Sequence, residues 1–165
     1  RLAAQLGLPY VFAHHFSGQG TAEMLALYRE TFQPSPYASE PVTFLTVNVC
    51  VAETEEEARR LARPQELAMV ALRTRGALQP QLTVEEAAEV SLPPEHEDLA
   101  RAMRGRWVVG SPETARAQVE ELAERFAVDE VMVHPVAGSS AGTDPRRSPA
   151  REATLELLAR ATVPR

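Results

Sequence analysis

Cysteine, lysine, isoleucine and asparagine are nearly missing from this chain of 165 residues, and each absence excludes something. Cys50 is the single cysteine, so no internal disulfide forms, and the thiol reads as a small buried hydrophobe that fits a reducing cytoplasm. All 17 basic residues are arginine, isoleucine is absent and Asn48 is the one asparagine, a bias of a GC-rich coding sequence that says nothing about fold. Apolar runs such as Val47–Ala52 and Leu67–Leu72 fall far short of the roughly 20 residues that span a bilayer, so no membrane segment is expected. A basic-then-apolar leader is also missing and the sequence opens at Arg1, which leads us to expect a piece of a longer product. The net charge is −6 and the arginines are scattered among glutamates, which leaves no basic stripe for phosphate and argues against a nucleic-acid partner.

What is present is an ordinary globular balance, 44% apolar and 24% charged, in a length that suits one domain. Leu8–Ala13 reads as a short buried strand ending near His14, with Pro9 at its start where a missing amide is tolerated. Met24, Leu27, Tyr28 and Phe32 recur at helical spacing, and Pro34 and Pro36 stop that helix. Val42–Val51 is continuous and β-rich with little alternation, the mark of a strand covered on both faces.

Thr54 and Glu57 suggest a capping box at the start of the next helix, and Pro64 should kink or restart it before Gly76. Thr83 with Glu86 suggests another capping box, and Glu95–Arg104 a short helix. Ser111 suits a cap, Pro112 the first helical position and Glu113 the dipole, ahead of a stripe of Ala115, Val119, Leu122, Ala123 and Phe126. Asp129–His134 reads as a third buried strand, residues 138–149 as a Gly/Ser/Pro-rich loop, and a last helix carries Leu155 and Leu158.

Strand followed by helix, three times over, implies a parallel sheet with helices packed outside it. Doubly wound sheet and barrel both satisfy that order. Three strands are too few to close a barrel of about eight, so residues 1–165 read as a single incomplete α/β domain.

The run from Ala3 to Phe16, with Gly7-Leu8-Pro9-Tyr10-Val11-Phe12-Ala13-His14-His15-Phe16 at its heart, resembles the sixth-strand region of the luciferase-like flavin-dependent monooxygenases. Val47-Asn48-Val49 with Ala52-Glu53-Thr54, then Val109-Gly110-Ser111-Pro112-Glu113-Thr114, then Asp129-Glu130-Val131-Met132-Val133 are similar to that family's next landmarks, in the same order. Arg151–Ala159 resembles its closing helix. The resemblance implies the C-terminal portion, about strands 6–8, of a TIM-type (β/α)8 barrel with parallel strands and outer helices. It implies an oxidoreductase using reduced flavin, FMN or the deazaflavin F420, with oxygen and a small organic substrate. It also implies that a missing N-terminal barrel half, or a second copy in a homodimer, completes the site, so the chain alone should bind flavin poorly.

Barrel chemistry sits at the carboxyl ends of strands, which puts His14, residues 50–53 and His134 near the mouth. By resemblance His14 stands where the family's luciferases carry a planar Trp beside the flavin. It is the leading candidate for the flavin or substrate pocket, the competing reading being a hydrogen-bonded structural imidazole. Phe12 shares its face with Tyr10 and is a secondary flavin candidate, against core filling. Asn48, a buried amide, and His134 are candidate substrate contacts, Asn48 also fitting a structural role. His14 and His15 as strand neighbours point apart and lack a further ligand at metal spacing, so no metal is expected.

Gly138-Ser139-Ser140-Ala141-Gly142 matches the G-x-S-x-G pattern, but Pro145 and Pro149 separate it from a helix and no histidine follows His134, so a hydrolase triad cannot form. Ser111 at a helix start, and the cluster Arg146, Arg147 and Arg151, are weaker candidates for an anion. The rival to the enzyme is a non-catalytic barrel fragment acting as an interaction module.

Overall fold

The computed structural model describes residues 1–76 and 79–162. The elements run α1 (Leu2–Gln5), β1 (Tyr10–Phe12), α2 (Thr21–Thr31), β2 (Thr43–Val51), α3 (Glu55–Arg75), α4 (Val84–Ala88), α5 (Pro94–Arg104), β3 (Val108–Gly110), α6 (Pro112–Phe126), β4 (Glu130–Pro135) and α7 (Pro149–Thr162). β2 pairs in parallel with β1 and with β3, and β4 also pairs with β2. The α/β class and the parallel sheet therefore follow the sequence reading.

The chain divides into two compact units, 1–47 with 118–134, and 48–117 with 135–165. In the first, Leu25, Leu45 and Phe126 form the buried core, with Tyr10, Phe12 and Leu122 packed on it. Gly7 is required here. Its φ is +61°, and a Cβ would sit 2.4 Å from that of Ser35, whose hydroxyl donates to the Gly7 carbonyl. Arg29 donates to the carbonyls of Phe126 and Ala127, placing a cation on the last carbonyls of α6. Asp129 fixes the start of β2: its carboxylate accepts from the Thr43 N–H at 2.7 Å and from the Thr43 hydroxyl at 3.0 Å.

In the second unit Cys50, Ala58, Ala62, Trp107, Val109 and Val136 are packed together. Cys50 Sγ–H donates to the Ala58 carbonyl, and burial, with Glu57 and Glu66 nearby, pushes the thiol up to about 12. It is an inert core residue. Thr154 of α7 is wholly buried and bonds both the N–H and the carbonyl of Val51 at 3.2 Å. Glu66 of α3 is buried between Arg63 and Arg104, and Arg63 reaches on to Glu97 of α5 at 2.6 Å. Burial pushes the Glu66 carboxyl above the usual range despite the two guanidinium groups.

Four sequence expectations change. Val108–Gly110 is a fourth strand, three residues long and so too short to show a period; it exists because Val49–Val51 offers it a partner edge. β4 is not fully buried: Glu130, Met132 and His134 alternate outward, and that alternation outranks the apolar composition. β1 is not buried either, since Val11 is exposed; of the two forms expected around Pro64, the single helix α3 forms, with the Pro64 ring packed on Gly138, where an added Cβ would lie 2.6 Å from Pro64 Cγ. α2 buries Thr21, Leu25 and Tyr28 instead of Met24. The two expected caps at Thr54 and Thr83 both form, the second as a full capping box; Glu57 instead forks onto Arg60.

Thr154→Val should cost about 1–3 kcal/mol, because the isosteric methyl leaves the buried Val51 N–H without its hydroxyl; urea unfolding measures it. Asp129 carries a second prediction. Its carboxyl lies below the usual aspartate range, held there by the Thr43 N–H, then the Thr43 hydroxyl and Arg29. A lowered native value contributes stability above the unfolded-state pKa and loses it as pH falls through the native one. Asp129→Ala should therefore be less stable than wild type at pH 7, and the gap should narrow in urea unfolding curves as the pH is taken below the usual aspartate range.

Candidate functional site

In the first unit β1 ends at Phe12 and residues 14–16 form a turn, so His14 and His15 are not strand neighbours. The alternation of β1 still carries through. Val11 and Ala13 are exposed, Tyr10 and Phe12 half-buried, and His14 is 5% exposed, which keeps Tyr10, Phe12 and His14 on one face. Phe12 packs on the Leu25–Leu45–Phe126 core, and Tyr10 stacks on Tyr28 at 5.2 Å. The His14 ring lies 5.4 Å from that of Phe126.

His14 Nδ1 is 2.8 Å from the Thr21 hydroxyl, which has one hydrogen and donates it to the Gly18 carbonyl at 3.1 Å. The Thr21 oxygen therefore accepts from Nδ1–H, which fixes the orientation of the ring. The same bond explains why α2 turns Thr21 inward.

His15 enters the sequence reading only beside His14, in the metal reading that is set aside. Its N–H donates to the Thr46 carbonyl at 2.8 Å, and its ring lies 4.4 Å from Phe16 and 5.7 Å, edge on, from His134. Burial, then the neighbouring His134, holds the His15 pKa below the ordinary imidazole value, against an opposing bond to the Thr46 backbone. His15 is thus neutral at pH 7. His14, His15 and His134 all belong to this unit, and Phe16 beside them is 67% exposed. The missed signal was the His15-Phe16 pair within the family-like run, overlooked because strand alternation was extended one residue too far.

In the second unit Asn48 is 2% exposed in β2. The anion readings of this unit meet the chain's own carboxylates. Ser111 caps α6 by accepting from the Thr114 N–H at 3.3 Å, while the Ser111 N–H donates to Glu55 at 3.1 Å. Bonds from the Thr114 hydroxyl and the Ser111 backbone hold the Glu55 carboxyl low, so it fills the place an anion would take. In the Gly-Ser loop the Ala141 N–H donates to Glu85 at 2.8 Å, and Ser139 O accepts from the Val84 N–H at 3.0 Å. The loop joins Pro135 to Pro149 with no strand-to-helix elbow. Arg146 pairs with Asp144, and Arg151 donates to the Ala137 carbonyl. Among the described residues no group of three or more His, Cys, Asp or Glu side chains could hold a metal ion, and no helix is long and apolar enough to cross a membrane.

The family model described as luciferase-like monooxygenase matches residues 1–130. The chain belongs to that family. The uncharacterized protein YvbT of Bacillus subtilis (strain 168) is 35% identical over 136 residues, covering 81% of this chain and 40% of YvbT. The crystal structure of apo-MsnO8 superposes with a TM-score of 0.77 at 31% identity, over 99% of this chain and 48% of that one. The oxygenating constituent of 3,6-diketocamphane monooxygenase from the CAM plasmid of Pseudomonas putida, solved in complex with FMN, shares the fold at 20% identity and a TM-score of 0.60, over 99% of this chain and 44% of that one. The chain thus spans less than half the length of each of these proteins.

Thr21→Val should remove the acceptor of His14 Nδ1–H. The expected outcome is a loss of about 1–3 kcal/mol in urea unfolding and a shift of the His14 imidazole 15N signals away from a single Nδ1–H tautomer; unchanged signals would sink the assignment.

Proposed function

We propose that this chain is part of a flavin-dependent monooxygenase that oxidises a small organic substrate, with FMN the favoured flavin over F420. The family match over residues 1–130 carries the reading, and the FMN complex of a protein of the same fold supports the choice of flavin. The parallel strands are read as about strands 6–8 of a barrel, with the small β3 at the rim. An N-terminal barrel half, or a second copy, would complete the pocket.

The residues at the end of β1 fit a planar cofactor. His14 is held rigid by Thr21, and Phe16 with His15 offers flat, partly apolar surface beside His134. When bound, reduced flavin supplies the electrons that activate oxygen for insertion into the substrate. The protein's part is positional. His14, with Nδ1 committed to Thr21, would present a flat imidazole of fixed orientation. Phe12 would support the floor from the core, and neutral His15 would take a proton without first losing one. His134 and Asn48 are the proposed substrate contacts. Apolar walls of this kind keep water from the reacting centre.

The test is a chimaera in which this chain replaces the matched segment of YvbT, alongside intact YvbT and the chain alone. After gel filtration with FMN we expect the chain alone to elute colourless, and both intact YvbT and the chimaera to retain FMN and take up oxygen. A chimaera that is folded by circular dichroism but holds no FMN would overturn the reading.

A further inference from the structure

The second unit contains a cavity that the flavin reading does not use. The later turns of α3 and residues 79–96 line a concave space of about 300 Å³, the lower end of the range for small-molecule sites. Pro64, Leu67, Ala71, Val90 and Leu92 make its apolar wall. The wall is rigid without a ligand, since Leu67 is 8% and Val70 2% exposed, and Val70 packs on Ala100 and Met103 behind it. A concave space backed by core side chains is a chamber, unlike a flat apolar face, and its volume is too small for a helix or a strand of a partner.

The polar groups on the lining are Arg75, Thr74, Gln79, Gln81 and His96, and among the described residues no Asp or Glu lines the space. Arg75 is the one guanidinium among these lining residues, and Arg73 lies two residues away at the same end of α3. A ligand with an apolar body and an anionic end is complementary to such a wall; a cationic amphiphile is not. At the edge of the cavity Gly138 packs directly on the Pro64 ring.

We propose that this cavity binds a small organic carboxylate with an apolar body, Arg75 meeting the carboxylate. Within the monooxygenase reading this names the substrate class, and that clause alone rests on the reading; the binding site itself needs no flavin.

The experiment titrates octanoate, and separately octylammonium, into the whole 165-residue chain without flavin, following the methyl NMR signals of Leu67, Val90 and Leu92. Saturable shifts are expected with octanoate, at an affinity at least about tenfold above octylammonium. Ala71→Trp, which fills the cavity, should weaken octanoate by about tenfold or more while the Leu25 and Leu45 methyls of the first unit stay in place. Arg75→Glu, an exposed charge reversal that leaves the packing alone, should reverse the preference between the two amphiphiles. Equal affinity for both, absence of saturable shifts at these methyls, or octanoate binding untouched by both substitutions would overturn the proposal. Failure of the flavin reading would appear in the chimaera and leave these shifts as they are.

Discussion

The structure depends on satisfying the backbone of β2 while burying its side chains. From Thr43 to Val51 nearly every side chain is shielded, and an unpaired peptide group in such a place costs as much as a lost hydrogen bond. Neighbouring strands supply most partners: Tyr10 N–H to Val42, His15 N–H to Thr46, and Ala52 N–H to Gly110. Where strands fall short, side chains take over. Asp129 holds the Thr43 N–H and Thr154 holds that of Val51, so a carboxylate and a hydroxyl act as substitute strands at the two ends.

That demand also shapes what the molecule offers to ligands. Exposed amides at helix starts and loops are natural anion sites, yet here Glu55 and Glu85 occupy those at Ser111 and Ala141. The site proposed after β1 is made instead of imidazoles and aromatic surface, where the chain has left the sheet but is still tethered to it through His15 N–H. A site of this composition is poor in nucleophiles and charge. It suits a cofactor that brings its own reactivity, with the protein fixing direction and excluding water.

Helix starts were the most legible features. Thr83 with Glu86, and Ser111 with Pro112, declare themselves because a cap is a contract between residues three apart. The site was only half legible. His14 stood out through its place in a family-like run, whereas His15 acquires meaning from the turn at residues 14–16, and its pairing with His134 joins positions far apart in the chain. The same holds for the start of α2, where the bond from His14 turns the polar Thr21 inward on the face that also buries Leu25 and Tyr28.

By itself the sequence determined the α/β order, the long buried strand, the capped helices and the membership of a family, because each is written in local periodicity, caps or short ordered motifs. Tertiary structure alone decided that Val108–Gly110 is a strand, that β1 leaves Val11 exposed and that β4 turns one face outward. The reason is common to all three. A short strand exists only if an edge awaits it, and a face is buried only when another element covers it.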